Sequence, residues 1–184
     1  MVPSGPKARA RANIAALELV RRLQAAGRPA TASEQAVLAA WSGWGAVPEV
    51  FDTRNEGFRS ERDRLRELLT REQYRQAEAS ILNAHYTDPA LAAAVWTALQ
   101  RAGFTGGRVL EPGCGSGHFI GHAPTDAVMV GVENDPITAA IAAALYPSAQ
   151  VRNEGFETTR VPEGRADSTG RRNTLITEVW CGQA

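Results

Sequence analysis

Apolar residues recur at helical spacing from the start of the chain. In "KARARANIAALELVRRLQAAG", Ile14, Leu17 and Val20 fall on one helical face, and Gly27 supplies a stop. "TASE" follows as a capping box, in which Thr31 caps the next helix and Glu34 reaches back to it. That helix gives way at "WSGWGAVPEVF". The glycines and Pro48 break regular structure there, while Trp41, Trp44, Val47 and Phe51 offer an anchoring apolar knot. "SERDRLRELLT" and "TREQYRQAEASILNAH" predict two more helices, with Ser60 and Thr70 at their N-caps.

Beyond about residue 83 the pattern changes to alternating helix and strand. "DPALAAAVWTALQRAG" has an N-cap aspartate, a proline at the first helical position and a terminating glycine. "RVLEP" reads as a strand, "GSGHFIGHA" as a short helix and "AVMVGVE" as an apolar strand. "DPITAAIAAALYP" is a helix capped by Asp135, and "AQVRNEGFE" a short strand and loop. Such alternation predicts an α/β fold with a parallel sheet and crossover helices. Three segments result: a helical one over 1–83, an α/β one over 84–163 carrying three parallel strands, and a tail over 164–184. The tail is rich in Arg, Ser, Thr and Gly at first, and its "TLITEVW" is only a weak strand pattern.

Composition narrows the class without choosing a function. The chain has 184 residues, 43% of them hydrophobic, enough for a packed core. Its formal net charge of zero lacks the global basic signature of a nucleic-acid binder, though a local patch would suffice. Cys114 and Cys181 lie in unrelated contexts, so neither a disulfide framework nor a zinc cluster is expected, and a reducing cytoplasm fits. Neither a membrane-spanning run nor a secretory signal is present in the sequence.

The chemistry concentrates in "RVLEPGCGSGHF". A strand, a glycine loop and a helix start expose backbone N–H groups and let a ligand approach closely. The dinucleotide fingerprint G-x-G-x-x-G fails in both registers: counting from Gly113 its third glycine would be His118, and from Gly115 it would be Ile120. The phosphate loop also fails, since no lysine follows the glycines. Glu111 at the strand tip suits an ammonium group, and the backbone of Gly113, Cys114, Gly115 and Gly117 can pack against a ligand. Glu133 ends the next strand about twenty residues on, where a carboxylate can accept two ribose hydroxyls.

"E-P-G-C-G-S-G" resembles the first motif of S-adenosylmethionine-dependent methyltransferases. "AHYTDP" upstream resembles the Tyr-Thr-Pro motif of DNA adenine N6-methyltransferases, with Asp88 interrupting and Pro89 one place late. The resemblance implies a partial Rossmann-like sheet with S-adenosylmethionine as cofactor and DNA as partner. It places Tyr86 and Thr87 over the methionine end of the cofactor and Phe156 over the adenine. Glu154 and Glu157 both stand as partners for the adenine amino group, because Gly155 occupies the position of the family's acidic residue. Residues from about Val37 to Arg160 resemble, more narrowly, the methylase region of very large helicase–methylase fusion proteins of bacterial plasmids and mobile elements.

One family motif is missing. The third strand should lead to an apolar strand ending in Asn/Asp-Pro-Pro-aromatic, which orients the target amine and stacks the flipped base. "NDPI" at Asn134 is a false match, because it caps a helix after the second strand. The composition shifts where that strand was due, so truncation or a reading-frame change near Gly164 is expected, with a disordered tail after it. No catalytic residue is therefore assigned. An inactive remnant, a helical interaction module and a methyltransferase for another acceptor stand as alternatives. His118 and His122 have i,i+4 spacing but no intervening glutamate or third ligand, so no metal is expected. Arg9, Arg11, Arg21 and Arg22 are read as a solvated face before a phosphate contact.

Overall fold

A computed structural model of the chain describes residues 2–82, 86–160 and, as backbone only, 174–176. These residues fall into two compact units divided between Tyr86 and Thr87.

The first unit is helical. α1 (Pro6–Ala26) buries Ile14, Leu17 and Val20, as its spacing predicts, and ends at Gly27 in the left-handed region at φ 58°. α2 (Ala32–Leu38) starts from the predicted capping box, with both reciprocal bonds between Thr31 and Glu34 formed. The apolar knot is present. Trp41 and Trp44 meet edge to face at 5.3 Å, Trp44 meets Phe51 at 5.6 Å, and Phe51 meets Tyr74 at 5.2 Å. Asn13, fully buried, fixes the turn beneath it by donating to Gly43 O and accepting from the Ser42 N–H.

α3 (Arg59–Leu68) and α4 (Arg71–Ala79) complete this unit. Thr70 caps α4 in a second box with Gln73. Ser60 does not cap α3: Phe58 holds that position without a side-chain bond, and the Ser60 hydroxyl donates instead to Glu61. A 3₁₀ turn at Glu56–Phe58, itself capped by Asn55, runs directly into α3 and displaces the expected start. After α4 the chain tightens into a 3₁₀ turn at Ser80–Leu82, and the rest of the predicted helix, 83–85, lies outside the described residues. The division after Tyr86, three residues beyond the predicted 83, has a local reason. The Tyr86 ring lies against Gly43, where a Cβ would come within 2.3 Å of it, and its hydroxyl accepts from Trp41 Nε1 at 3.0 Å.

Several arginines of this unit are internal ties. Arg11 pairs with Glu61 at 2.9 Å, and Arg21 donates to Leu68 O and Gln73. Arg62, 3% exposed, donates to the carbonyls of Val50, Asp52 and Asn55. Arg62→Met keeps an apolar stem but leaves these carbonyls without their charged donor. Chemical denaturation is expected to show a loss of about 3 kcal/mol.

The second unit is mixed α/β. α5 (Pro89–Arg101) is capped by Asp88, whose carboxylate accepts from the Ala90 N–H at 2.7 Å. β1 (Gly107–Pro112), β2 (Ala127–Glu133) and β3 (Gln150–Asn153) pair in parallel, joined by the short α6 (His118–Gly121) and by α7 (Pro136–Leu145). The three expected parallel strands are present, and a fourth joins them. β4 (Thr174–Ile176) pairs in parallel with β1, giving the order β3-β2-β1-β4. It covers the side of β1 that three strands leave open. The remainder of 164–184 lies outside the described residues.

Alternation along the strands divides their side chains between two faces. One face carries Val109 and Met129 into a core with Ala92, Trp96, Phe119 and Ile120. The other carries Leu110, Val130 and Val132. Glu111 and Glu133 continue the first face to the carboxyl ends of β1 and β2.

A candidate ligand site at the carboxyl ends of the strands

The strand order fixes where a ligand would sit. The chain steps outward from β1 to β2 and β3, then returns to β4 on the far side of β1. In open parallel sheets the crevice at the carboxyl ends, beside such a reversal, is the usual ligand position. β1 ends there with Glu111 and runs into the glycine loop.

The loop takes a conformation that side chains resist. Gly113, Gly115 and Gly117 have φ of 59°, 54° and 86°. Three bonds lock it: Cys114 N–H to Val132 O, Gly117 N–H to Cys114 O, and Gly115 N–H to the Glu133 carboxylate, each at 2.9 Å. The glycines differ in purpose. A Cβ on Gly113 would meet nothing within 4 Å, so this side of the loop is open. A Cβ on Gly117 would lie 2.7 Å from the Tyr146 ring. Gly117→Ala combines that clash with an unfavourable φ and is expected to destabilise the unit by more than about 2 kcal/mol in thermal denaturation.

Cys114 turns inward. Its thiol belongs to the core under α5 and α6, and a Cβ on Gly131 would sit 2.7 Å from its sulfur. Burial, then the charges of Glu111 and Glu133, push the thiol far above its ordinary range. Its backbone N–H donates to Val132 O of β2, and its C=O accepts from Gly117 N–H within the loop. Cys114 therefore shapes the loop and presents no reactive thiolate.

The two carboxylates have different surroundings. Glu133 Oε2 accepts from Gly115 N–H at 2.9 Å and Oε1 from Asp135 N–H at 2.8 Å. Burial raises its pKa, opposed by those amides. A carboxylate has about four acceptor positions, and the backbone amides of Gly115, Asp135 and Asn134 leave room for one hydroxyl donor. Glu111 is only 5% exposed, and its Oε2 is buried with no hydrogen-bond partner. Burial, reinforced by the charge of Glu133, pushes the Glu111 carboxyl up to about 8. At neutral pH it holds its proton, and a cation beside it would return it to the ionised form.

The remaining predicted residues are placed as follows. Thr87 begins the second unit, and its carbonyl receives a short bond, 2.6 Å, from His118 Nδ1. Tyr86 is the last described residue of the first unit. Phe156 opens a 3₁₀ turn just after β3 and is 39% exposed. Glu154 Oε1 is buried without a hydrogen bond, whereas the Glu157 carboxylate folds over Gly155. Among the described residues no group of three His, Cys, Asp or Glu could hold a metal ion, and no helix is long and apolar enough to cross a membrane.

Ser116 and Tyr146 went unmarked in the sequence. The Ser116 hydroxyl is buried and unpartnered in the middle of the loop. Tyr146 supports the loop from beneath, touching the Cβ positions of both Gly117 and Gly121. Those two glycines, one helical turn apart, are the sequence signal for a large neighbour.

The site is thus defined by class: a parallel α/β sheet with a glycine loop and, at adjacent strand ends, one buried and one half-buried carboxylate. A scan of family models and searches of curated proteins and of solved structures found no match to the chain.

Proposed function

We propose that the second unit is part of a Rossmann-like methyltransferase sheet that binds S-adenosylmethionine, and that it belongs to a DNA adenine N6-methyltransferase. The observation that carries the cofactor reading is the buried, unpartnered Glu111 oxygen beside an open glycine loop. An unsatisfied buried carboxylate is costly unless a ligand completes it. The ammonium of the cofactor's methionine end is a donor of the right charge.

The residues fit the rest of that ligand. Gly113 leaves room for backbone contact, Glu133 keeps an acceptor position for a ribose hydroxyl, and exposed Phe156 offers a ring face for adenine. Thr87 is assigned to the methionine end by the motif it resembles. When bound, S-adenosylmethionine supplies a methyl group activated by its sulfonium. The chain's own residues hold and orient the ligand, and Glu111 gives up its proton as the ammonium arrives.

DNA as the acceptor rests on the order "HYT", "EPGCGSG", "VGVE". The Asn-Pro-Pro-aromatic motif needed to orient an adenine amine is absent from this sequence. That absence favours binding without transfer by this chain.

Glu133→Ala removes both the ribose acceptor and the anchor of the loop. S-adenosylmethionine affinity should fall at least about tenfold, the effect of losing one to two good hydrogen bonds. Isothermal titration reads this directly, and an unchanged Kd would refute the ribose role.

A further inference from the structure

The geometry points to His118 as a positioning residue of the candidate site: it pins Thr87 against the glycine loop and so sets ligand affinity. The proposal rests on reading the loop as a ligand site. His118 follows Gly117 directly and opens α6, whose Gly121 N–H bonds back to Gly117 O. Its backbone is therefore fixed by the loop. From there Nδ1 reaches the Thr87 carbonyl at 2.6 Å, across 31 residues of sequence. A carbonyl only accepts, so Nδ1 carries the proton in this bond.

A second bond separates positioning from folding. Trp96, 2% exposed on α5, donates Nε1 to Phe119 O at 2.8 Å, and its ring lies in the core with Phe119 and Val109. α5 is therefore held to α6 in mid-helix by a buried anchor. The His118 bond holds only the segment leading into α5, where Thr87 and His118 are both half-buried. Its loss leaves the core packing intact and frees Thr87 beside the loop. A residue that must be ordered on binding costs affinity, so a Thr87 already held in place favours the ligand.

The test is a titration of S-adenosylmethionine into the full chain and three variants, with thermal unfolding of each. His118→Phe keeps a ring but has no donor, and should weaken binding about fivefold to tenfold with little change in unfolding temperature. His118→Asn places an amide nitrogen where Nδ1 stands and should bind within about twofold of the unsubstituted chain. His118→Gln keeps polarity but carries its amide one carbon farther out, so it should behave like His118→Phe and carries the test if that variant fails to fold. Binding by His118→Phe or His118→Gln equal to the unsubstituted chain overturns the proposal alone. So does an Asn variant as weak as the other two. No heat from the unsubstituted chain overturns the ligand reading, and this proposal with it.

Discussion

Glu111→Gln is expected to weaken S-adenosylmethionine binding roughly thirtyfold while making the ligand-free protein more stable at pH 8. The two effects have one source. The Glu111 carboxyl is buried and half unsatisfied, so its charge is costly until a cation arrives. Glutamine keeps the shape and one carbonyl acceptor but never ionises. Binding then loses a buried charge pair, worth about 2 kcal/mol or more. The ligand-free state meanwhile loses the penalty of a buried carboxylate. Opposite signs on affinity and stability distinguish a ligand-binding group from a structural one. Titration and urea unfolding of the same two proteins measure both, and a variant that loses stability and affinity together would assign Glu111 to the fold.

The pH dependence of ligand-free stability should be the second large effect. Glu111 titrates at about 8 when folded, against an ordinary value of 4.5. Below 4.5 the group is protonated in folded and unfolded chains, and its favourable contribution is complete. Between the two values the folded state binds more protons than the unfolded one, so stability falls as pH rises. Above about 8 both states are ionised and the loss is complete, on the order of 5 kcal/mol. Glu133, raised in the same direction, adds to the same slope. Urea unfolding from pH 5 to 9 should show this decline, and Glu111→Gln should flatten most of it. Parallel curves for the two proteins would remove Glu111 as the cause. Binding at pH 7 should also release close to one proton, roughly, since the ligand returns Glu111 to its ionised form. Titrations in buffers of different ionisation enthalpy measure that number.

Much of the fold was legible because its signals are local. The capping pairs Thr31 with Glu34 and Thr70 with Gln73, and the Asp-Pro starts at Asp88 and Asp135, each act within one helical turn. The apolar runs of β1 and β2 and the glycine loop between them are equally local. What escaped depends on contacts distant in sequence. Arg62 looks like any exposed helical arginine until the turns between Val50 and Asn55 present three carbonyls to it. Ser60 is a good cap by type, yet the Asn55 turn ahead of it supplies the geometry first. β4 has a weak pattern of its own and is defined by its register with Arg108, Val109 and Leu110.

The site divides in the same way. Glu111, the three loop glycines and Glu133 declare themselves by position in a strand–loop–strand pattern. Glu133's grip on Gly115 and the inward turn of Cys114 do not, because both need β1 and β2 in register, with Glu111 opposite Gly131. His118 was weighed in the sequence as a metal ligand beside His122. Its tie to Thr87 appears only once α5 is laid beside α6.

The most direct measurement is isothermal titration of S-adenosylmethionine into this chain at neutral pH. The proposed site predicts a saturable one-to-one heat that is strongly reduced by Glu111→Gln. No heat at millimolar ligand, or the same heat from both proteins, would contradict it.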